Sequence, residues 1–175
     1  AALCNERKGL SDIRRGGYER FKEKIRDPRW TPDAGSVFNE KSGATAVGAR
    51  IPLIAFNINL DSEDIGIAKA IACEIRTSGG GLPCLKAIGV RLKSRNLAQV
   101  SMNLTDYRTT SLRTVFDIVN EKAGSRGAGI LESELIGLIP RAALDGVTPE
   151  YLKLAEFSDT RIIENWIASS CQGTS

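Results

Sequence analysis

Apolar and polar residues alternate strictly over residues 98–105 of the stretch AQVSMNLTDY, which spans 98–107. The apolar positions are Ala98, Val100, Met102 and Leu104, and the polar positions between them are Gln99, Ser101, Asn103 and Thr105. Successive side chains of a β-strand point to opposite sides, so this period of two predicts a strand with one buried face. The polar row is uncharged and Asn is disfavoured in strands, which raises the question of what this row contacts.

Similar patterns predict the other elements of a core. Period-two alternation and short apolar runs predict strands over residues 52–60, 85–92, 96–104 and 129–140. Apolar residues at helical spacing predict helices over residues 63–76 and 111–123. The order β-α-β-β-α-β predicts an α+β fold of the ferredoxin-like kind, in which both helices cover one face of a four-stranded antiparallel sheet.

Residue types also predict where the two helices begin and end. Asp61 or Ser62 is expected to cap the first helix, and Thr109 or Thr110 the second, because short polar side chains accept hydrogen bonds from the first free N–H groups. Gly124 is expected to end the second helix in a left-handed conformation.

Additional segments flank this core on both sides. Residues 11–26 are predicted to form a helix, and residues 27–48 a loop of unusual length. Loops longer than about 12–15 residues are uncommon in compact domains, so both a binding loop and a plain linker remain open for it. After the last strand we expect a short helix near 141–145, a helix start at Thr148, and a final helix over 159–168.

The two central strands share a polar face if their apolar rows meet the helices. Asn57 and Asn59 of the first strand then lie beside Gln99, Ser101 and Asn103 of the third. Buried amides without partners cost about 1–3 kcal/mol each, so this patch favours contact with a second domain or a polar ligand. Solvent is the alternative partner.

The composition is that of an ordinary globular protein, with 42% hydrophobic and 26% charged residues among 175. No apolar run reaches the ~20 residues of a membrane span, and no secretory signal is seen. The four cysteines are widely spaced, which is typical of free thiols in a reducing compartment and favours the cytoplasm. Since the chain lacks an initiator Met, we expect a trimmed or partial product.

Histidine is absent from the chain, which excludes a His general base, a Ser-His-Asp triad and every His-containing zinc site within it. The cysteines also lack metal-ligand spacing, so no metal is expected. Acid–base chemistry would therefore need carboxylates, Lys, Tyr or Cys, or a base from another chain. The net charge of +3 is concentrated in residues 1–29, and a solvated helix explains it more simply than an anion site.

Three short motifs allow competing interpretations. The glycine run SGGGLP at residues 78–83 is better explained as a helix stop than as a phosphate loop, because no Lys-Ser/Thr follows it. Glu132 and Glu134 are candidates for acid–base work on one strand face, although their spacing alone is weak evidence. Nucleic-acid binding is disfavoured because the central strands carry Asn and Gln where RNA-binding sheets need aromatic residues.

Several long motifs resemble the glutamate formiminotransferase family, the transferase part of formiminotransferase-cyclodeaminase. They are GATAVGARIPLIAFNINL at 43–60, SGGGLPCLKAIGVRL at 78–92, RNLAQVSMNLTDY at 95–107 and ESELIGLIPRAAL at 132–144. The stretch IRRGGYERFKEKIRDPRWTPDAG at 13–35 and the closing stretch YLKLAEFSDTRIIENWI are also similar to that family. The likeness therefore runs almost from end to end.

The resemblance implies transfer of a formimino group from N-formimino-L-glutamate to N5 of tetrahydrofolate, the co-substrate, with release of glutamate. It also implies two ferredoxin-like subdomains whose open sheet faces meet around the folate. The family's catalytic His lies in the first subdomain, before the start of this sequence. Residues 1–42 are then the end of that subdomain with the folate-contacting loop, and residues 43–175 the second subdomain.

The resemblance further implies which residues contact folate. They are Gly35, Ser36, Val37, Phe38, Asn39, Glu40, Lys41, Ser42 and Gly43. Lys41 and Arg50 are candidates to pair with the glutamate carboxylates of folate. The open-face row Asn57, Asn59, Gln99, Ser101 and Asn103 supplies further candidate contacts. The expected small-molecule partners are folate and formiminoglutamate. A first subdomain or a second chain is expected on the open face, and the protein is expected to form a homo-oligomer. The alternative function is a non-catalytic folate-binding or interaction module.

Overall fold

The computed structural model describes residues 10–35 and 38–171, with the backbone alone for residues 11 and 12. The chain divides into two compact units, Ala1–Arg50 and Ile51–Ser175. Each unit has its own set of internal contacts.

The first unit contains two single helical turns in place of the predicted helix over 11–26. These are α1 (Leu10–Ile13) and α2 (Phe21–Lys24). Gly16 and Gly17 separate them with φ values of 90° and 65°. Such left-handed conformations are open to glycine and interrupt a right-handed helix, so the prediction of one continuous helix was wrong.

The loop predicted over 27–48 is largely irregular in the structure. It begins with a 3₁₀ turn at Pro28–Trp30, where the side chain of Asp27 accepts a hydrogen bond from Arg29 N at 3.0 Å. A tight turn follows at residues 39–43, and residues 44–50 have no regular structure.

The second unit has the predicted β-α-β-β-α-β order. Its elements are β1 (Ile54–Leu60), α3 (Ile65–Ile75), β2 (Leu85–Leu92), β3 (Leu97–Leu104), α4 (Leu112–Gly124) and β4 (Ile130–Ile136). The strands lie in the order β2-β3-β1-β4, and every neighbouring pair is antiparallel. The predicted ferredoxin-like fold is confirmed.

The core lies between one face of this sheet and helices α3 and α4. The sheet contributes the fully buried side chains of Ile54, Phe56, Ile58, Val100, Met102 and Leu104, and the helices contribute Ala68, Ile71, Ile75, Leu112, Val115 and Val119. At Gly89 of β2 an added Cβ would lie 2.4 Å from the backbone nitrogen of Lys69. Strand β2 and helix α3 therefore approach too closely there for any larger residue.

Helix α3 begins two residues later than predicted, at Ile65. Its cap is Asp64, whose carboxylate accepts a hydrogen bond from Gly66 N at 2.7 Å. The prediction of Asp61 or Ser62 was wrong because these side chains bond elsewhere. Asp61 accepts from the backbone N–H of Gly129, and the hydroxyl of Ser62 accepts from Asp64 N at 3.1 Å.

Helix α4 also differs from the prediction at both ends. Ser111 caps it by accepting from Thr114 N at 3.1 Å, while the hydroxyl of Thr110 donates to Pro83 O at 2.6 Å. Thr109 and Thr110 are therefore not the cap. Gly124 remains within the helix, and the left-handed glycine that follows is Gly127, with φ of 73°.

The glycine run after α3 ends that helix, as predicted. Gly81 N donates to Arg76 O at 3.1 Å, and Leu82 N donates to Ile75 O at 2.8 Å. These backbone N–H groups are used by the end of the helix, which is the arrangement of a helix stop rather than of an anion cradle.

The region after β4 folds back along the sheet. Strand β4 ends at Ile136 rather than at 140, and Gly137 follows with φ of 80°. A 3₁₀ turn at Arg141–Leu144 matches the predicted short helix, and α5 (Ile163–Cys171) forms the final helix.

The predicted helix start at Thr148 was wrong, since residues 149–153 form only a turn. Its last residue, Lys153, has φ of 48°, a left-handed conformation that ends the helical path. Within the described ranges, none of the helices is both long enough and apolar enough to cross a bilayer.

Candidate functional site

The sheet face opposite the helices carries a continuous row of polar side chains. In the pairing of β1 with β3, Asn57 lies opposite Ser101 and Asn59 opposite Gln99, while Asn103 lies opposite Ala55. The apolar partners Phe56–Met102 and Ile58–Val100 alternate with them and are buried in the core. The predicted common face of these five polar residues is therefore present.

Strand β4 adds two carboxylates to the same face. Glu134 pairs with Asn57 and Glu132 with Asn59 in the β1–β4 register. The side-chain amide of Asn59 donates to Glu132 Oε1 at 3.0 Å and to Glu134 Oε1 at 2.8 Å. Asn59 Oδ1 in turn accepts from Gln99 Nε2 at 2.7 Å, and Gln99 Nε2 also approaches Glu134 Oε2 at 3.2 Å. These contacts form one hydrogen-bonded network across three strands.

Arg95 completes this network from the turn between β2 and β3. Its guanidinium donates to Glu132 Oε1, and its Nη1 lies 3.9 Å from Glu134 Oε1. The hydrogen bond from Arg95, followed by the one from Asn59, holds the pKa of Glu132 below its usual value. Glu132 is therefore anionic at neutral pH, which suits the binding of a cation better than the uptake of a proton.

A cavity of about 480 Å³ opens beside the carboxylates at the β4 side of the sheet. Its lining includes Arg95, Glu132, Glu134, Ile136, Glu156 and Arg161. Both signs of charge border this space. Such a lining is complementary to a small ligand that carries a cationic group and carboxylates together.

Two of the amide side chains on the open face have hydrogen-bond partners within the chain. Asn59 and Gln99 are 0% and 4% exposed, and the network with Glu132 and Glu134 satisfies them within the chain. Their burial therefore requires neither a ligand nor a second domain. Asn57, Ser101 and Asn103 are half-buried and remain accessible on that face.

In the first unit, the predicted folate-contacting segment includes a tight turn. Gly43 N donates to Asn39 O at 2.8 Å, and the side chain of Asn39 accepts from Lys41 N and Ser42 N at 2.9 and 3.2 Å. Gly43 has φ of 68°, and an added Cβ would lie 3.2 Å from the ring of Tyr18. Asn39 and Gly43 thus shape the turn.

Aromatic contacts hold this turn against the rest of the first unit. The ring of Phe38 lies 5.9 Å from that of Tyr18 and 5.6 Å from that of Phe21, in tilted geometry. The hydroxyl of Tyr18 donates to Glu40 O, and Lys22 forms an ion pair with the Glu40 carboxylate. This hydrogen-bonded contact with Lys22 lowers the pKa of Glu40.

Some side chains of the predicted folate-contacting residues have contacts within the first unit, and others are exposed. Phe38, Asn39 and Glu40 are engaged within the first unit, whereas the side chains of Lys41 and Arg50 are exposed. Gly35 has φ of 83° and open space around it, and Ser42 is exposed. Ser36 and Val37 lie outside the described residues. A shallow cavity of about 250 Å³ borders Tyr18, Lys22, Phe38 and Glu40.

Sequence reasoning missed two residues: Arg95, which completes the network on the open sheet face, and Tyr18, which contacts the turn at residues 39–43. Arg95 lies in a turn, where no periodicity predicts the direction of a side chain. Tyr18 was included in a predicted helix, so its distance of 22 residues from Glu40 gave no reason to pair them. The only available signal was the charge complementarity of Arg95 with the Glu132–Glu134 pair.

Comparison with known proteins gives two matches to family profiles. The profile described as "Formiminotransferase domain" matches residues 55–165, and the one described as "Formiminotransferase domain, N-terminal subdomain" matches residues 1–50. The chain belongs to the formiminotransferase family. The resemblance noted in the sequence is thereby confirmed.

Individual relatives agree with the family assignment. A glutamate formimidoyltransferase of Streptococcus pyogenes is 44% identical over 94% of this chain, and one of Thermoplasma acidophilum is 40% identical over 94%. A formimidoyltransferase-cyclodeaminase of Mus musculus is 42% identical over 82% of this chain. The chain covers 56% and 55% of the first two relatives and 28% of the third.

Proposed function

We propose that this chain is the folate-binding part of a glutamate formimidoyltransferase. The enzyme would move the formimino group of N-formimino-L-glutamate to N5 of tetrahydrofolate and release glutamate. The observation that carries this proposal is the identity of 44% and 40% to two enzymes named glutamate formimidoyltransferase. We further propose that residues 1–42 end a first subdomain and that residues 43–175 are the second.

The open sheet face is our proposed surface for the formimino donor and for a first subdomain. A formimino group is an amidine and is cationic near neutral pH. Glu132 and Glu134 offer carboxylates that Asn59 and Arg95 hold in place, with accessible space beside them. A charge-assisted hydrogen bond from the amidinium to either carboxylate would be stronger than a neutral one. Arg161, in the lining of the same cavity, has the charge to contact a substrate carboxylate.

Folate is proposed to bind the segment 35–43 together with Arg50. The turn at 39–43 is fixed by Asn39 and Gly43, so the exposed side chain of Lys41 projects from an ordered backbone. Lys41 and Arg50 are cations, and the glutamate moiety of folate carries carboxylates. These two side chains are the proposed anchors for that end of the ligand.

The chemistry requires a proton donor and acceptor. N5 attacks the formimino carbon, the bond from that carbon to the glutamate nitrogen breaks, N5 loses a proton and the glutamate nitrogen gains one. Histidine is the side chain best suited to such transfers near neutral pH, and this chain has none. We propose that a first subdomain supplies it, that the 175 residues alone are inactive, and that the enzyme is cytoplasmic.

A second candidate is a non-catalytic folate-binding or interaction module. The observation in its favour is that the open-face amides Asn59 and Gln99 are satisfied within the chain. The sheet face is therefore stable without a ligand. Under this alternative, folate would bind at 35–43 and no formimino transfer would follow.

Binding to a supplied first subdomain tests the proposal against its alternative. The chain is mixed with the N-terminal part of the Streptococcus pyogenes relative, and complex formation and binding of a reduced folate are measured by titration calorimetry. The enzyme proposal predicts a complex that binds folate more tightly than this chain does. Folate binding of equal strength with and without the added part would favour the module, and the absence of both complex and binding would contradict both functions.

A further inference from the structure

The charged side chains that line the cavity beside β4 differ in how far they are paired. Arg95 donates a hydrogen bond to Glu132 Oε1, whereas its Nη1 lies 3.9 Å from Glu134 Oε1, beyond hydrogen-bond distance. The charges of Arg95 and Glu132 therefore largely offset each other. Glu134 is the carboxylate of this pair whose charge has no cation at hydrogen-bond distance among the described residues.

Two buried amides hold the carboxylate of Glu134. Its Oε1 accepts from Asn59 Nδ2 at 2.8 Å, and its Oε2 accepts from Gln99 Nε2 at 3.2 Å. These donors are neutral, so they orient the carboxylate without cancelling its charge. A carboxylate has about four acceptor positions, so both oxygens can accept further hydrogen bonds. Since 30% of the side chain is exposed, Glu134 presents an oriented anion to the cavity.

Arg161 brings a cation to the same cavity from the outer edge of β4. Odd-numbered residues of β4 direct their backbone groups to this edge, as Ser133 N does in donating to Lys153 O at 2.7 Å. Arg161 Nη1 donates to Leu135 O, and Ile139 N donates to Arg161 O at 2.9 Å. None of the described carboxylates forms a salt bridge with Arg161. A guanidinium has five N–H groups, so this one retains donors for an anionic ligand.

We propose that Glu134 and Arg161 together select the formimino donor. The amidinium of the donor binds Glu134, and one of its carboxylates binds Arg161. Glu132 has a supporting part, because its charge is already engaged by Arg95. This inference rests on the proposed function and adds to it which residues recognise the donor. The substrate class that follows is an amidine that also carries a carboxylate.

The two side chains match the groups that they would bind. An amidinium presents two N–H groups in one plane, so it can bind both oxygens of a carboxylate in the way that a guanidinium does. Arg161 can bind a donor carboxylate with the same forked geometry. A site whose polar groups are built to pair with a ligand group discriminates strongly against an analogue that lacks the group. The donor is therefore recognised by both of its charges.

Donor binding in the absence of tetrahydrofolate tests these contacts apart from the chemistry. The chain is mixed with the part of the Streptococcus pyogenes relative that it does not cover and is titrated with N-formimino-L-glutamate in a calorimeter. We expect Glu134→Gln to raise the dissociation constant at least about tenfold and Glu132→Gln to raise it less, because only the first removes the charged partner of the amidinium. Arg113→Gln, at an exposed position of α4, is the control and should leave the constant unchanged.

Donor analogues with a single carboxylate test Arg161. N-formimino-γ-aminobutyrate lacks the carboxylate next to the nitrogen, and N-formimino-α-aminobutyrate lacks the side-chain carboxylate. We expect the wild type to bind at least one analogue about tenfold or more weakly than N-formimino-L-glutamate, and Arg161→Gln to bind that analogue and the full donor equally. A purely structural effect of Arg161→Gln would weaken all three ligands by the same factor.

The outcomes separate this inference from the proposed function. Equal weakening of all three ligands by Arg161→Gln, or an effect of Glu132→Gln as large as that of Glu134→Gln, would overturn the proposal. Absence of donor binding by the wild-type mixture would overturn it as well. Donor binding that depends on Glu134 and Arg161, without formimino transfer once tetrahydrofolate is added, would support the site and contradict the proposed function alone.

Discussion

Asn59 Nδ2 donates to Glu134 Oε1 over 2.8 Å, from the central strand β1 to the outer strand β4. The same amide group also donates to Glu132, and its oxygen accepts from Gln99. A fully buried side chain therefore orients two carboxylates on a sheet face that the helices do not cover. Both carboxylates share this one amide as a hydrogen-bond donor.

Substitution of Asn59 by Ala is expected to lower the free energy of unfolding by about 1–3 kcal/mol, because Gln99 and both carboxylates lose a partner in a buried place. Asn57→Ala is the matched control, on the same strand and face but half-buried. Urea denaturation of both variants measures the difference. Equal losses would show that the network adds nothing to stability.

The lowered pKa of Glu132 predicts how the free energy of unfolding depends on pH. Its folded-state pKa lies below the ordinary value of 4.5, first because of the hydrogen bond from Arg95. A lowered pKa contributes stability above the unfolded-state pKa and loses it as pH falls through the folded-state value. We therefore expect Glu132→Gln to be less stable than the wild type at pH 7 and to lose less stability than the wild type below about pH 4.5.

Arg95→Met checks the cause of that shift. Without the guanidinium, the pKa of Glu132 rises toward its ordinary value, so this variant should also lose less stability in acid. Denaturation midpoints at a series of pH values measure both variants. If Arg95→Met follows the wild-type curve in shape, Arg95 is not the cause.

The exposed cations of the first unit are expected to anchor folate. Lys41→Ala and Arg50→Ala should each weaken the binding of a reduced folate about 10- to 100-fold, since a hydrogen bond to a charged group contributes roughly 1.5–3 kcal/mol. Lys69→Ala, at an exposed position of α3, is the control. Calorimetric titration is done in the presence of the first subdomain of a relative, and unchanged affinity in both variants would remove this segment from the site.

A substitution at Gly43 tests whether the shape of the turn at residues 39–43 affects folate binding. Gly43→Ala places a Cβ at φ of 68°, 3.2 Å from the ring of Tyr18, so we expect the turn to be strained by about 1–2 kcal/mol and folate affinity to fall. Gly48→Ala is the control, because open space surrounds that position. Folate titration compares the two. An affinity that falls equally in both variants would argue against a role for the turn.

The strand periods predicted the sheet and its two faces because a period of two leaves only one assignment of side chains to the core. They could not predict that Asn59 is fully buried, since the side chains that it contacts come from the neighbouring strands β3 and β4. The helix caps were misassigned because Asp61, Ser62 and Asp64 are chemically similar candidates within one turn. Their bonds depend on distant groups such as Gly129 N.

The sequence predicted only part of the candidate site. The row of polar residues on β1 and β3 follows from alternation, but the contacts of residues 38–43 with Tyr18 depend on the break at Gly16 and Gly17. Local sequence favoured a continuous helix there. Loop conformations of this kind are set by tertiary contacts that no periodicity records.

The most direct test of the proposed function is an assay of formimino transfer from labelled N-formimino-L-glutamate to tetrahydrofolate. The 175-residue chain is assayed alone, then with the part of the Streptococcus pyogenes relative that this chain does not cover, and then with that part after every histidine in it is replaced. Acid–base groups commonly contribute about 10²- to 10⁴-fold to such steps, so we expect turnover only in the mixture whose added part keeps its histidines. Substantial turnover by the chain alone would contradict the account.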